Sequence, residues 1–277
     1  MSDPAVRLPS VWVATGARIG VELRQFFRER DAVVFIFAFP VVMLVIFASA
    51  FSGESDFISS GSQSITAPQY YLTGMISTGI VLSSFQNLAT FIAIERDDGA
   101  LKRLRGTPMP PLAYFLGKIG VVLITTVVQL VLLLAVARIG YGVDLPRSGE
   151  LWLRFVWLVV LGTAAGTVLG IAFSTVPRSG RAAPAIVTPV VLVLQFISGV
   201  YFPYNNLPGW MHAIASVFPL KWMAQGMRSV FLPDYMRLIE PGQSWHIGEG
   251  AIVLTAWLVV GLLLALRSFR WLRRDDG

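Results

Sequence analysis

The chain has 277 residues, of which 55% are hydrophobic and 14% are charged, and its formal net charge is +6. An average soluble domain is roughly 25% charged, so this chain has too few charges to cover a water-soluble surface of its size. It contains no cysteine, which excludes disulfides, thiolate metal sites and a thiol nucleophile. A zinc site built on His212 and His246 would need clustered carboxylates, and none cluster suitably, so we predict no metal site.

The first 31 residues precede the first long apolar run and carry a helical pattern. Trp12, Ile19, Leu23 and Phe26 recur at spacings near seven, four and three residues. The adjoining polar arc consists of Arg18, Glu22, Gln25 and Glu29. We predict that residues 1–31 form a cytoplasmic leader whose amphipathic helix lies in the headgroup layer of a membrane. The alternative is a leader that is merely solvated.

Apolar segments long enough to cross a bilayer follow the leader, since a spanning helix needs about 20 apolar residues. Their bounds are 32–51, 70–94, 112–137, 151–176, 182–201 and 250–266. No Asp, Glu or His lies well inside these segments, while Lys118 and Arg154 lie near span ends, where they can snorkel to the interface. We predict an all-α integral membrane protein with a six-span domain over residues 32–267 and a basic tail at 268–277.

The distribution of lysine and arginine predicts the orientation, because cytoplasmic loops retain these residues. Sixteen of the 22 basic residues lie in the leader, around the loops after spans two and four, and after the last span, whereas the loop at 52–69 has none. The basic residues lie beside the apolar runs and form no single patch, so they indicate topology and not nucleic-acid binding. We predict a multi-pass protein of the cell membrane with both termini in the cytoplasm.

Two further features concern packing within the membrane. Gly162, Gly166 and Gly170 stand at intervals of four in span four, which lets another helix approach closely. That helix could belong to the same chain or to a second copy, and packing within the chain is favoured. The segment at 202–249 contains several prolines but is rich in Trp, Phe and Met. We predict that it forms short external or re-entrant helices, with its backbone covered by protein.

Several motifs that carry chemistry are missing from the sequence. There is no Gly-x-x-x-x-Gly-Lys-Ser/Thr loop to cradle a nucleotide phosphate and no Gly-x-Ser-x-Gly nucleophile elbow. There is also no carboxylate inside a span, which ion-coupled carriers commonly use near the midplane. We therefore predict a non-catalytic chain, in which uphill transport would need energy from a partner.

The most informative segment is the loop between spans two and three, residues 95–108. Asp97 or Asp98 can cap a short helix, and Leu101 and Leu104 would share one face of it. A helix of about two turns is not stable alone in water. It must therefore dock against the rest of the chain or against another protein.

This loop resembles that of a known family. Its pattern Glu-Arg-x-x-Gly-x-Leu-x-Arg-Leu-Arg-x-Thr-Pro is similar to the permease subunit of type-2 ATP-binding-cassette exporters, the group that contains actinobacterial antibiotic-resistance permeases. The segment at 198–228, with Ser-Gly-Val-Tyr-Phe-Pro, Leu-Pro-Gly-Trp and Phe-Pro-Leu, resembles that family's segment after span five. Together with the leader and the six-span layout, the two motifs cover nearly the whole chain.

The resemblance implies a permease that pairs with a second permease, identical or related, and with two copies of a separate ATPase subunit. The ATPase would bind ATP and Mg, and this chain would bind no cofactor. The short helix of the loop is similar to a coupling helix that sits in a groove of the ATPase. The residues implied in coupling are Glu95, Arg96, Asp98, Gly99, Leu101, Lys102, Arg103, Leu104, Arg105, Thr107 and Pro108. The alternative is that the loop only anchors the topology.

The same resemblance places a substrate route at the centre of the dimer, between spans two and five. The candidate residues there are Phe85, Gln86, Asn87, Phe91, Gln195, Phe196, Ser198 and Tyr201. The alternative is that the polar ones only hydrogen-bond between helices and the aromatic ones are ordinary packing. A mostly apolar route suits a hydrophobic or amphiphilic compound, such as a drug, an antibiotic or a lipid-like molecule.

We therefore expect the permease subunit of an exporter that works by alternating access. Closure of the ATPases would push the coupling helices together, rearrange spans two and five, and open a gate near residues 198–201. Aspartate at both Leu101 and Leu104 is expected to abolish association with the ATPase and to preserve the topology. The alternatives are an ion-coupled multidrug carrier and, less favoured, an intramembrane lipid-modifying enzyme, which lacks a convergent nucleophile, base or metal set.

Overall fold

The computed structural model describes residues 10–51, 57–60, 63–107 and 110–268. Helix α1 (Val11–Arg28) begins after Ser10, whose hydroxyl accepts a hydrogen bond from the Val13 N–H. Helix α2 (Arg30–Ala50) follows and is strongly apolar. The antiparallel strands β1 (Ile58–Ser60) and β2 (Gln63–Ile65) then lead into the second long helix.

The second long helix has a defect at its centre. It consists of α3 (Ala67–Val81), a π-helical turn at Leu82–Gln86, and α4 (Asn87–Asp97). Short π-helical turns inside α-helices often occur at functional sites. Gly99 then adopts a left-handed conformation, with φ at +69°, and helix α5 (Ala100–Arg105) begins after it.

The remaining helices complete the bundle. They are α6 (Pro111–Ala135), extended by a π-helical turn at Val136–Gly140, then α7 (Gly149–Phe173), α8 (Ala183–Ile197), α9 (Gly209–Val217), α10 (Pro219–Phe231) and α11 (Ile247–Ser268). Three short 3-10 turns lie between α8 and α11, at Tyr204–Asn206, Asp234–Ile239 and Pro241–Gln243. The main apolar core surrounds α3, which is buried along almost its whole length.

Most of the predicted spans correspond to long helices. In the described part of the chain, five helices are long and apolar enough to cross a membrane: Val33–Ala50, Ala67–Asp97, Leu112–Gly140, Gly149–Phe173 and Ile247–Ser268. The fifth span, predicted at 182–201, is apolar, but its helix α8 has 15 residues and ends at Ile197. The chain leaves the helix there because Gly199 adopts a φ of +74°, and the Tyr70 hydroxyl donates to its carbonyl at 2.9 Å. The all-helical membrane architecture is confirmed, and six full-length spans stay a prediction.

The segment predicted to contain short helices does contain them, and α10 is the most buried of these. It packs against α3, α7 and α11. Two indole groups satisfy the carbonyls at the turn between α9 and α10. Trp257 donates to Val217 at 2.6 Å, and Trp222 donates to Ser216 at 2.7 Å. Because Trp257 lies in the middle of α11, this turn reaches the middle of the bundle, as a re-entrant hairpin with covered backbone would.

The glycines of α7 make close contacts within the same chain. A Cβ at Gly162 would lie 2.7 Å from the Met223 side chain of α10. A Cβ at Gly166 would collide with Ser84, and one at Gly170 would lie 2.8 Å from the Phe85 carbonyl, so the π-helical turn packs directly on α7. Packing within the chain, the favoured alternative, is confirmed.

Candidate functional site

Two ends of the bundle differ in charge and in structure. We call the end that carries α1, α5 and residues 174–182 the basic end. We call the end that carries the two strands and residues 199–246 the opposite end. The residues predicted to couple to a partner lie at the basic end, and the predicted gate lies at the opposite end.

Buried charges join three helices at the basic end, and we call them the basic-end cluster. The cluster consists of Arg18 and Glu22 of α1, Glu95 of α4, and Tyr114 and Lys118 of α6. The ammonium group of Lys118 donates to Glu22 and to Glu95, both at 2.7 Å. The Tyr114 hydroxyl donates to Glu95 at 2.8 Å, and Arg18 pairs with Glu22. Two carboxylates thus face two cations, which is the balance that buried charges require.

Small residues of α6 let α1 come close enough to complete this cluster. A Cβ at Gly117 would lie 2.5 Å from the Cγ of Arg18, and a Cβ at Gly120 would lie 2.5 Å from the Cδ1 of Ile19. A larger side chain at either position would push α1 away, because close-packed helices have no spare volume.

The predicted amphipathic helix is present as α1, and its placement in the headgroup layer stays a prediction. Trp12, on the predicted apolar face, is 77% exposed, whereas Phe26 is buried within the chain. Glu22, predicted on the polar arc, is 5% exposed because it pairs with Lys118. The expectation that Lys118 snorkels to the interface is also wrong, because two carboxylates hold its ammonium inside the bundle.

The segment predicted to couple to a partner, residues 95–108, is called the coupling segment below, and it begins differently from the prediction. Neither Asp97 nor Asp98 caps α5, whose N-cap is Gly99 without a side-chain hydrogen bond. Asp97 ends α4, and its carboxylate accepts from the backbone N–H of Gly180 at 3.0 Å. Arg96 donates to the carbonyl of Pro177 at 3.0 Å. The segment is therefore tied to the loop between α7 and α8.

One face of α5 docks on its own chain. Leu101 is 1% exposed and Leu104 is half-buried, whereas Lys102 and Arg103 are exposed. Asp98, Gly106 and Thr107 are exposed as well. The side chain of Arg105 and the whole of Pro108 lie outside the described residues. Aspartate at Leu101 would damage the chain's own packing, so the double substitution expected to test docking cannot isolate it.

A cleft of about 230 Å³ separates α5 from α1. Its lining residues come from α1, α4, α5 and the following turn, namely Arg18, Gln25, Glu95, Ala100, Arg103, Leu104 and Thr107. The predicted coupling residues thus fall into two groups. Glu95, Arg96 and Leu101 position the segment, and the exposed residues, such as Arg103, form its outer surface.

The predicted route residues of span two lie at or just after the π-helical turn. Phe85 meets Phe173 edge to face, with ring centroids 5.4 Å apart. Gln86 donates to the Thr188 hydroxyl of α8 at 3.5 Å. Asn87 and Phe91 line a small recess beside Lys118, which is a different place. The other predicted route residues, those of span five, lie at the end of α8 or just after it.

The predicted gate is a packed turn and not an open passage. The Tyr201 hydroxyl donates to the Gln195 side chain at 2.6 Å, and Ser198 is buried. Tyr71 donates to the Tyr201 carbonyl at 3.3 Å. Phe196, by contrast, is 48% exposed on the outside of α8. Within one chain the predicted route residues are not brought together on one surface, and their role in a route stays a prediction.

A second buried ion pair, which the sequence pattern did not reveal, organises the opposite end. Arg228 of α10 is 1% exposed and binds both carboxylate oxygens of Glu240, at 2.5 and 3.1 Å. Its guanidinium lies 5.9 Å from the Tyr70 ring and 5.8 Å from the Tyr204 ring. Tyr70 also holds the turn at Gly199, so the ion pair and the predicted gate share a contact residue.

The chain is similar to transport permeases. A family described as ABC-2 type transporter matches residues 16–232. A probable multidrug ABC transporter permease of Escherichia coli (strain K12) is 25% identical over 168 residues, which are 60% of this chain and 43% of that protein. A putative transport permease of Porphyra purpurea is 24% identical over 243 residues, which are 83% of this chain and 75% of that protein.

An uncharacterized protein of Bacillus subtilis (strain 168) is 24% identical over 177 residues. The chain spans 21% of the length of that relative and 43% of the length of the Escherichia coli relative. The family match covers more than half of the chain, including the basic-end cluster, the coupling segment and α10. The chain therefore belongs to the ABC-2 type transporter family, as a permease subunit of a type-2 ATP-binding-cassette transporter.

Proposed function

We propose that this permease exports a hydrophobic or amphiphilic compound from the cell by alternating access, driven by separate ATPase subunits. The observation that carries the proposal is the attachment of α5. Its outer side is exposed, while Leu101 is buried and the adjacent Glu95 belongs to the basic-end cluster. Such an element can receive a displacement from a partner and pass it to α1, α4 and α6 together.

The docking surface for the ATPase is the cleft between α1 and α5 together with the exposed side of α5. Arg103 and Thr107 line this cleft and are exposed. Each of two permease subunits would receive one ATPase in this way, and ATP and Mg would bind only to the ATPase. The two permeases are either identical or closely related copies.

The π-helical turn supplies the hinge for transmission. The turn at Leu82–Gln86 lies directly above α4 in the same long helix and packs on Gly166 and Gly170 of α7. Gln86 also contacts Thr188 of α8. A displacement of α4 would therefore change the bend at this turn and shift α8, which is how spans two and five would alternate between the two orientations.

The chemistry of the proposed route residues and the name of one relative support the substrate class. A route built from residues such as Phe85, Gln86 and Phe196 offers apolar surface with few amide groups, which suits an apolar or amphiphilic compound. The Escherichia coli relative is named a probable multidrug permease, which supports this class for the present chain. The route between two subunits would be completed by the partner copy.

Reversal of charge at the docking surface tests the proposal. Arg103→Glu is expected to reduce the amount of cassette ATPase that co-purifies with the permease at least tenfold, because Arg103 lies on the exposed surface of α5. The matched control is Arg147→Glu, whose side chain is 84% exposed and lies at the opposite end. Both variants should have the same midpoint of the unfolding transition as the wild-type permease. Equal retention of the ATPase by both variants would contradict the proposed docking surface.

Sidedness is tested with single cysteines, since the chain has none of its own. Cysteines replacing Ser148 and Asn205, which are exposed at the opposite end, are expected to react with an impermeant maleimide in intact cells. A cysteine replacing Asp98, exposed at the basic end, should react only after the membrane is opened. Labelling of all three positions in intact cells would contradict a cytoplasmic basic end.

The energy source separates the proposed exporter from its alternatives. Efflux through an ATP-driven permease stops when ATP is depleted while the ion gradients are clamped. Efflux that continues without ATP but stops when the gradients collapse would indicate an ion-coupled multidrug carrier instead. A chemically altered lipid product, with no efflux, would indicate an intramembrane enzyme.

A further inference from the structure

An apolar cavity of about 410 Å³ lies inside a single subunit, apart from the cleft beside α5. It is bounded by the π-helical turn, α7, α8, α11 and the turn between α9 and α10. Representative lining residues are Phe85, Gly166, Phe173, Leu194, Trp257 and Leu264. The volume falls within the range of sites that hold small molecules, about 300–1,000 Å³.

The cavity extends along the helix axes from the middle of the bundle toward the basic end. On α11 its lining runs from Trp257 to Ser268, and on α7 from Gly162 to Phe173. Eleven residues of α-helix span about 16 Å at 1.5 Å per residue. The hydrocarbon core of a bilayer is about 30 Å thick, so the cavity occupies the depth of one leaflet.

One end of the cavity is closed. The turn between α9 and α10 covers it, where Phe218 stacks on Trp257 with ring centroids 6.1 Å apart. The Trp257 indole donates to the Val217 carbonyl at 2.6 Å and fixes this cover. Val190 of α8 lies at the side and is 36% exposed. The occupant must therefore enter from the side or from the basic end.

Two arginines lie close in the chain to the part of the lining nearest the basic end. Val176 and Ser268 line the cavity there. Arg178 follows Val176 by two positions, and Arg267 directly precedes Ser268. Both arginines are exposed. Within the described ranges no carboxylate forms an ion pair with either of them. Basic side chains at the membrane surface attract anionic lipid headgroups.

We propose that this cavity binds one acyl chain of an anionic phospholipid from the leaflet at the basic end, with its headgroup beside Arg178 and Arg267. An elongated apolar cavity one leaflet deep matches an acyl chain, and the two arginines match a phosphate-bearing head. The lipid is a resident ligand of each subunit. Phe85 also belongs to the proposed route, but binding of this lipid to the purified permease requires neither transport nor the ATPase.

Native mass spectrometry of the purified full-length permease tests this site. The protein is delipidated in detergent and offered equal amounts of phosphatidylglycerol and phosphatidylcholine with identical acyl chains. We expect retention of about one phosphatidylglycerol per subunit, at least fivefold in excess over phosphatidylcholine. Equal retention of the two lipids would overturn the proposal, because it would indicate contact without a built headgroup site.

Variants separate the contributions of the acyl chain and of the headgroup to lipid retention. Ala172 lines the cavity, so Ala172→Phe should fill it and reduce retention of both lipids at least tenfold. The matched control is Ala256→Phe, on the exposed side of α11, which should behave like the wild type. The double variant Arg178→Gln/Arg267→Gln should retain both lipids equally.

Unchanged retention in the cavity variant would overturn the acyl assignment, and an unchanged preference in the arginine variant would overturn the headgroup assignment. If Ala172→Phe does not elute as a single folded species, the smaller Ala172→Leu replaces it, with a reduction of at least threefold expected. The control variant Ala256→Phe measures any reduction in lipid retention that a bulky residue causes elsewhere on the surface.

Discussion

Replacing Arg228 with methionine is expected to lower the free energy of unfolding by about 3–5 kcal/mol. Arg228 is 1% exposed and binds both oxygens of Glu240, and Gln225 donates to the same carboxylate at 3.3 Å. Without the guanidinium, Glu240 remains buried as an uncompensated charge. Titration with sodium dodecyl sulfate in mixed micelles measures the change in the purified permease.

A double substitution and an exposed pair control this prediction. Arg228→Met/Glu240→Met removes both charges, so it should recover a large part of the loss, because an apolar pair of similar volume often replaces a buried ion pair at little cost. Arg237 pairs with Asp234 at 3.2 Å, but both side chains are more than half exposed. Arg237→Met should therefore cost no more than about 1 kcal/mol. Equal losses at Arg228 and Arg237 would contradict the assignment.

Replacing Lys118 with methionine is expected to have an effect of similar size at the other end of the bundle, about 3–5 kcal/mol. Its ammonium holds two carboxylates, those of Glu22 and Glu95, in a site where all three side chains are 4–6% exposed. Removing it leaves two buried carboxylates beside Arg18 alone. We expect α1 to separate from α6, which limited proteolysis of the leader and the unfolding titration would both detect.

A second substitution that restores the charge balance of the basic-end cluster should recover part of the lost stability. Lys118→Met combined with Glu22→Gln removes one cation and one anion, so it should be more stable than Lys118→Met alone. Arg154 is the control, because it also lies near a span end but pairs with Glu150, whose side chain is 77% exposed. Arg154→Met should change the free energy of unfolding by less than about 1 kcal/mol. A double variant no more stable than Lys118→Met would show that charge balance is not the cause.

The spans could be predicted because each is a continuous apolar run, and such a run has a low free energy only within lipid or a protein core. Helix α1 could also be predicted, from the periodicity of residues such as Ile19 and Phe26. The short helices between α8 and α11 could be predicted from the apolar content of 202–249. The end of α8 could not be predicted. Its apolar run continues past Ile197, but Gly199 and the Tyr70 hydroxyl turn the chain.

In the coupling segment, too, the sequence predicted the helix but not all of its hydrogen bonds. The charge and leucine pattern of 95–108 predicted a short helix that must dock, and α5 is present with Leu101 buried. The capping role assigned to Asp97 is wrong, because its carboxylate binds the Gly180 N–H, 83 residues away in the chain. A local pattern describes which hydrogen bonds are possible nearby, and it cannot rank them against distant partners.

The sequence by itself determined that the chain is a helical membrane protein, where most spans lie, which ends carry the basic residues, and which family its motifs resemble. Only the tertiary structure decided which charges are buried together, such as Lys118 with Glu22 and Glu95, and that an apolar cavity remains beneath the turn between α9 and α10. The reason is physical. Apolar runs and loop charges act through transfer between water and lipid, which each segment undergoes separately, whereas ion pairs and cavities depend on distances between segments that are remote in the chain.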